Sequence, residues 1–201
     1  MSAHEVADVA VIGGGPAGLA AAAEAKAAGA SRVLLLERDD RVGGILNQQV
    51  HDGFGTKVFG EALTGPEYAA IYEDRVNDRD VETWLKTHVI DVTKDRLITV
   101  HSDKGLRTIE AGSVVLSMGC RERTRGAIGT AGTRPSGVFT AGAVQNYMNV
   151  RNLAVGRKVV ILGSGDIGLI MARRLKLEGA EVVCVAEILP QPSGIAGNMV
   201  R

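Results

Sequence analysis

Basic runs, paired cysteines and aromatic rings are what this 201-residue chain is short of. Lysine plus arginine is 23 and aspartate plus glutamate is 23, so the formal charge is zero and the field that drives non-specific nucleic-acid binding is missing. One tryptophan, three tyrosines and three phenylalanines leave little material for base-stacking platforms, and no basic run of five or more occurs. Nucleic acid is therefore not expected as a partner. The two cysteines, Cys120 and Cys184, stand 64 positions apart, which excludes a disulfide framework and any Cys-x-x-Cys redox or zinc pair and makes a reducing cytoplasm the default setting. The four histidines, His4, His51, His88 and His101, show no His-x-x-x-His spacing and no neighbouring cysteine, so no metal site is expected. Long apolar runs are missing too. Residues 17–30, the longest low-polarity stretch, contain Glu24 and Lys26, which argues against a signal peptide or a membrane span.

Glycine, by contrast, is abundant: 26 residues, about twice the usual share, many of them in tight loops after apolar runs. Val9-Ala10-Val11-Ile12 is a β-prone run that breaks into Gly13-Gly14-Gly15-Pro16-Ala17-Gly18 and then an alanine-rich stretch ending at Gly29-Ala30. Val33-Leu34-Leu35-Leu36 follows and closes on Glu37. Fully apolar strands flanking a helix are what a parallel sheet covered on both faces requires. The layout then returns: Val159-Val160-Ile161-Leu162, Gly163-Ser164-Gly165-Asp166-Ile167-Gly168, a helix to about Glu178, Gly179-Ala180, and a strand from Val182 closing on Glu187. Gly13, Gly15, Gly18, Gly29 and Glu37 map onto Gly163, Gly165, Gly168, Gly179 and Glu187 with a constant offset of 150.

A G-x-G-x-x-G turn between strand and helix has a chemical reason. The first glycine permits the tight turn, the second lets a pyrophosphate approach the backbone, and the third lets helix and strand pack closely. The free amides and positive end of the helix dipole then stabilise the diphosphate without a lysine. In both copies the glutamate lies 19 positions after the third glycine, the spacing at which a carboxylate reaches a ribose diol. Glycines serving only helix packing, with glutamates that merely end strands in solvent, would have to produce this coincidence twice.

The surroundings separate the two dinucleotides. After Glu37 the first copy continues Arg38-Asp39-Asp40-Arg41-Val42-Gly43-Gly44-Ile45-Leu46, and the glycine pair just past the acid resembles the flavin half of flavoproteins with two dinucleotide domains. A helix is expected from Gly65-Pro66-Glu67, a strand over residues 84–92, and a β-hairpin from residues 96–101 and 106–110 around Lys104-Gly105. Val114-Val115-Leu116 then leads into Ser117-Met118-Gly119-Cys120-Arg121-Glu122-Arg123, which is similar to the Ala-Thr-Gly segment that closes the flavin part in the pyridine nucleotide-disulfide oxidoreductase superfamily. Within it, Gly43 to Gln49 and Leu63-Thr64-Gly65-Pro66-Glu67-Tyr68 most resemble the branch of NAD-linked flavoproteins associated with glycerol-3-phosphate dehydrogenase, sarcosine oxidase α and opine oxidase A. The likeness continues through Val138-Phe139-Thr140-Ala141-Gly142 to Glu187 and beyond.

The resemblance implies FAD and NAD as cofactors. Gly13, Gly15, Pro16, Ala17 and Gly18 would cradle the FAD pyrophosphate, Glu37 with Arg38 would hold the adenosine ribose and adenine edge, and Gly44 and Ile45 would lie along the ribityl and flavin side. Val89 would offer backbone groups to the adenine, an ordinary strand-core role being the alternative; Gly119 would pass close to the cofactor. Gly163, Gly165, Asp166, Ile167, Gly168 and Glu187 would hold NAD. A carboxylate at 187 repels a 2′-phosphate, so NADH is expected over NADPH.

Disulfide reductases of this superfamily need a close cysteine pair, and the chain has none, so thioredoxin-reductase-like chemistry is not expected. Cys184, mid-strand, reads as a small buried hydrophobe and Cys120 as a packing residue. His51 reads as a solvated loop residue rather than a proton donor, and no catalytic acid or base is assigned. Gly137 to Gly142 reads as interdomain strand and turn. After Glu187 only 14 residues remain, where a nucleotide-binding half needs a third strand and helix, so the second half is expected to be truncated and its exposed sheet edge covered by homo-oligomerisation or left as an instability. The expected fold class is α/β: a Rossmann-type FAD-binding segment with a β-hairpin insertion over residues 1–123, an interdomain linker and strand over 124–156, and a truncated second Rossmann-type NAD-binding βαβ over 157–201. The expected function is hydride transfer between NAD(H) and bound FAD, with a partner oxidoreductase subunit or a small-molecule substrate as the other donor or acceptor. The alternative is a non-catalytic FAD- or NAD-binding fragment or assembly subunit.

Overall fold

The run Val9 to Ile12 lies in β1 (His4–Ile12), which opens the chain in a computed structural model that describes residues 4–199. α1 (Pro16–Ala27) follows the glycine turn, and β2 (Val33–Leu36) returns parallel to β1, with Val9 opposite Val33 and Ile12 opposite Leu36. Every β2 residue is buried, as a strand covered on both faces must be. Proline opens α1, where its missing N–H is no loss. The helix stops at Gly29 (φ +101), whose N–H reaches Lys26 O while Ala30 N–H reaches Ala25 O, the paired closure that a left-handed residue allows.

A 3₁₀ turn (Gly44–Gln48) and a short antiparallel pair, β3 (Asp52–Phe54) with β4 (Leu63–Thr64), lead to α2 (Gly65–Asp78). Thr64 and Glu67 form a reciprocal capping box at its start. Then come β5 (Glu82–Trp84), β6 (His88–Val92), β7 (Leu97–Ser102) and β8 (Gly105–Leu116). The six strands align as β5-β2-β1-β8-β7-β6. The strand expected over 84–92 is two strands, because Lys86 turns the backbone into the left-handed region (φ +50). The expected hairpin is formed by β7 and β8. β8 is one twelve-residue strand that pairs antiparallel with β7 and, from Thr108 to Leu116, parallel with β1. Alternate side chains of the sheet serve two cores: Val11, Val33 and Leu35 pack with Leu19 of α1, while Ile12, Leu34 and Leu36 pack with Ile98, Val100 and Ile109 of the hairpin.

The chain divides into two compact units, Met1–Cys120 and Arg121–Arg201. In the second lie α3 (Ala141–Gln145) running into a π turn (Asn146–Val150), β9 (Lys158–Leu162), α4 (Asp166–Leu177), β10 (Glu181–Ala186) and α5 (Ala196–Met199). The strand expected within 124–156 is absent, and α3 begins at Ala141, inside the expected strand and turn of Gly137 to Gly142. The first amides of a helix need acceptors, and the Glu122 carboxylate takes Gly142 N–H at 2.7 Å, while Val144 N–H reaches back to Thr140 O. Met148 then packs against Met171 and Leu175 of α4, so this stretch belongs to a core rather than to a free linker.

β9 and β10 are parallel, with Val159, Ile161 and Val182 facing the α4 side. Val160, Leu162 and Val183 form an exposed outer face. Cys184 is exposed as well, which corrects the expectation of burial: a register shift between Val182 and Cys184 breaks the alternation and turns the thiol outward. Cys120 is likewise exposed rather than packed.

Candidate functional site: two glycine cups at the carboxyl edges of the sheets

The strands of the first unit end in a staircase of main-chain bonds. Ser117 N–H donates to Ile12 O (2.9 Å), Gly13 N–H to Leu36 O (2.8 Å), and Glu37 N–H to Trp84 O (2.9 Å). Each residue just past a strand is thereby fixed to the end of its neighbour, and Gly13, Glu37 and Ser117 line the carboxyl edge of the parallel strands, where ligands of open α/β sheets bind.

Three glycines shape the first cup for three different reasons. Gly13 has φ +100, and a Cβ there would stand 2.6 Å from Ser117 O. At Gly18 a Cβ would meet Gly13 O at 1.8 Å, so helix and strand cross with no room for a methyl. Gly15 has ordinary φ, and a Cβ there would meet nothing within 4 Å: the space above it is open. No side chain caps the α1 N-terminus, which leaves its first amides for an anion. Glu37, nearly fully buried, accepts Gly14 N–H at 2.6 Å and Asp39 N–H at 2.9 Å. Gly43 N–H bonds Gly14 O at 2.7 Å, and Gly44 approaches the Gly15 backbone so closely that a Cβ on Gly44 would come within 3.0 Å of Gly15 Cα, while the Cβ side of Gly15 itself stays open.

The second cup repeats the main-chain turn of the first, without the Ser117 wall that stands against Gly13. Gly163 N–H donates to Ala186 O (2.7 Å), Gly163 has φ +105, a Cβ at Gly168 would meet Gly163 O at 2.4 Å, and one at Gly165 would meet nothing. Gly179 closes α4 through bonds to Lys176 O and, from Ala180, to Leu175 O, matching Gly29 and Ala30. Glu187 accepts Ser164 N–H at 2.9 Å, the counterpart of the Glu37–Gly14 bond. It also accepts the Ser164 hydroxyl, Ile188 N–H (2.8 Å), Leu189 N–H (3.1 Å) and the Ser193 hydroxyl (3.3 Å). The Ser164 hydroxyl, then its amide and the Leu189 amide, hold the pKa of the Glu187 carboxyl at about 2, down from 4.5. Asp166, at the first position of α4, accepts Ile195 N–H (2.8 Å) and Asn198 Nδ2 (2.9 Å), and these bonds hold its carboxyl below the usual range.

Four participants escaped sequence reasoning. Gly14 and Ser164, the variable positions of the fingerprint, carry the amides that hold the acids. Ser117 hydrogen-bonds through its hydroxyl to Ile12 O (2.9 Å) and Gly13 O (3.0 Å), pinning the first turn from 104 residues away. Gly194 N–H bonds Ser164 O at 2.9 Å as Gly43 bonds Gly14. This pair is offset by 151 rather than 150, so a fixed-offset comparison passes over it.

Pro16 and Ala17 form the first turn of α1; Ile167 sits beside Asp166 on α4 and is partly exposed. Arg38 and Ile45 are exposed beside the first cup's acid and glycine pair. Gly119 has φ +68 with open space at its missing side chain. Val89 pairs with Val100 and packs against the hairpin core, whereas the main chain bonded to Glu37 O and Asp39 O is that of Thr87 (2.8 Å) and Lys86 (2.9 Å). His51 is partly buried, with Nε2 2.7 Å from Gln49 Oε1 and its ring 5.2 Å from Phe54, instead of freely solvated. Among the described residues no cluster of three or more histidines, cysteines or carboxylates could hold a metal ion, and no helix is long and apolar enough to cross a membrane.

The residues present suit a dinucleotide. Open space above Gly15 and Gly165, uncapped helix amides, and a carboxylate beside each turn supply the three things a pyrophosphate and its ribose need.

Known proteins agree with this architecture. The alpha chain of sarcosine oxidase from Corynebacterium sp. (strain P-1) is 32% identical over 199 residues, covering 90% of this chain and 19% of that protein. Opine oxidase A from Agrobacterium tumefaciens (strain Ach5), itself named as a subunit, is 30% identical over 198 residues, covering 92% of this chain and 37% of that one. The chain thus spans about a fifth to a little over a third of the length of these relatives. Among solved structures, L-proline dehydrogenase from P. horikoshii superposes with a TM-score of 0.72 at 26% identity, over 94% of this chain and 37% of that one. Lactococcus lactis thioredoxin reductase, at 19% identity and a TM-score of 0.69 over 97% of this chain and 60% of that one, shares the fold. The pyridine nucleotide-disulphide oxidoreductase family matches residues 7–196, a stretch that contains both glycine cups and both acids, and the chain belongs to this family of FAD- and NAD(P)-dependent oxidoreductases.

Proposed function

We propose that the first cup holds FAD and the second holds NAD, and that the protein serves an oxidoreductase in which a hydride passes between the two, with a partner subunit or a small molecule as the other donor or acceptor. FAD would lie on Gly13, Gly15, Pro16, Ala17 and Gly18, with its adenosine ribose at Glu37 and Arg38 and its flavin side along Gly44, Ile45 and Gly119. NAD would lie on Gly163, Gly165, Asp166, Ile167 and Gly168, with its ribose at Glu187. When bound, the flavin and nicotinamide supply the redox chemistry, and the protein positions them and shields them from water. The observation that carries the reading is the doubled acid–amide bond, Glu37 to Gly14 and Glu187 to Ser164, each beside an open, uncapped helix N-terminus.

The sarcosine and opine oxidase relatives are both named as subunits, which supports a partner protein. A carboxylate rather than a basic residue at position 187 supports NADH over NADPH, because a 2′-phosphate would face a charge of its own sign. Absorbance of the purified protein, followed anaerobically on adding NADH, tests the proposal. Yellow protein that bleaches with NADH, and more slowly with NADPH, is the expected outcome. Flavin that stays oxidised leaves a binding subunit without turnover, and colourless protein that takes up no added FAD removes the reading.

A further inference from the structure

The two cups differ in how their acids are engaged. A carboxylate offers about four lone-pair sites. Glu37 has two donors among the described residues, Gly14 N–H and Asp39 N–H, so two sites remain for the hydroxyls of a sugar. Glu187 has five: the Ser164 amide and hydroxyl, the Ile188 and Leu189 amides, and the Ser193 hydroxyl. A ribose hydroxyl reaches Glu187 only by displacing one of them. The Ser164 donors belong to the glycine turn itself and the Ile188 and Leu189 amides to the acid's own turn. Ser193 alone comes from elsewhere, and at 3.3 Å its bond is the longest of the set.

Residues 193–198 are otherwise held by groups that a sugar does not contest. Ser193 N–H donates to Ser164 Oγ (3.1 Å), Gly194 N–H to Ser164 O (2.9 Å), and Ile195 N–H and Asn198 Nδ2 to Asp166. A Cβ at Gly194 would stand 2.7 Å from Leu169 Cδ1, so this segment sits directly on the first turn of α4. Resting on the reading of the second cup as a dinucleotide site, we infer that the Ser193 hydroxyl is a stand-in for a ribose hydroxyl on Glu187: it occupies the sugar's place on the carboxylate and gives way to the nucleotide, while Ser164 and Asp166 keep the rest of the segment docked. Asp166 is then a positioning residue for Ser193, its charge spent on the segment.

The test is NAD⁺ affinity of the FAD-saturated full chain, measured by calorimetry for the wild type, Ser193→Ala and Gly165→Ala. Removing the competing hydroxyl is expected to tighten NAD⁺ binding by about three- to tenfold, the value of one hydrogen bond. An NAD⁺ analogue lacking the adenosine ribose hydroxyls gains nothing from Ser193→Ala, because it has nothing to exchange. Hydrogen exchange at the Gly194 and Ile195 amides stays equally slow with and without NAD⁺. An unchanged or weakened affinity of Ser193→Ala for NAD⁺, an equal gain for the analogue, or amides at 194 and 195 that exchange freely on binding overturns the inference. NAD⁺ uptake that is lost in Gly165→Ala but indifferent to Ser193→Ala removes this inference alone. A wild-type chain that takes up no NAD⁺ removes the site reading along with it.

Discussion

Glycines that look equivalent in the sequence do unlike work at the residue scale. Gly18 is a packing glycine: a methyl there would stand 1.8 Å from a backbone oxygen that cannot swing away. Gly18→Ala is expected to destabilise the first unit by about 3 kcal/mol or more, read as a lost or strongly lowered thermal midpoint. Gly15 is a ligand glycine. With ordinary φ and open space around it, Gly15→Ala should fold within about 1 kcal/mol of the wild type yet weaken FAD binding at least about tenfold, seen as apoprotein on purification. If Gly15→Ala keeps its flavin, the pyrophosphate does not lie on that turn. The acids behave on the same scale. Because the pKa of the folded Glu187 carboxyl is about 2 and that of an unfolded one 4.5, its stabilisation of the second cup is complete above pH 4.5 and lost as pH falls through about 2. Amide shifts of Ser164 and Leu189 followed through acid report this, and Glu187→Gln should remove the titration.

At the scale of elements, β8 does what separate segments would otherwise do. Its first residues close the hairpin against β7, its length joins the parallel sheet at β1, and its end delivers Ser117 to the glycine turn. The hairpin and the nucleotide sheet therefore share one core and should lose stability together. Leu35→Ala, on the α1 side, and Ile109→Ala, on the hairpin side, remove side chains that are completely buried. Each is expected to cost about 2–5 kcal/mol, and each should lower the same transition in denaturant by fluorescence of Trp84. A hairpin that melted separately, with Ile109→Ala affecting only a minor early phase, would contradict the shared core.

For the whole molecule, the unequal cores of the two units set the order of unfolding. The first unit buries two clusters of nine hydrophobic residues each, while the core of the second, among the described residues, fully buries Met148, Met171 and Leu175. Its sheet has two strands with an exposed apolar outer face. Calorimetry is expected to show two transitions, the second unit melting first. By mass action FAD should raise the upper one and NAD⁺ the lower one, each by about 2.7 kcal/mol at a hundredfold excess over its dissociation constant. A single transition raised equally by either nucleotide would mean that the units fold as one.

Local chemistry was legible from residue order alone wherever one chain segment satisfies itself. The apolar runs, the glycine turns with their helices, the closing Gly29 and Gly179, and the acid 19 positions past each third glycine all act within one crossover unit, so their spacing encodes their geometry. What depended on segments distant in sequence came only from the folded chain. Ser117 meets Gly13 because β8 pairs beside β1, and Lys86 and Thr87 meet Asp39 and Glu37 because β5 pairs beside β2. The start of α3 is held by a carboxylate 20 positions away, and Cys184 faces outward because of a bulge that no alternation pattern announces. Spacing carries the information when the interaction is made within the repeating unit; pairing partners, register and the donors gathered on Glu187 are decided by which surfaces the hydrophobic cores bring together.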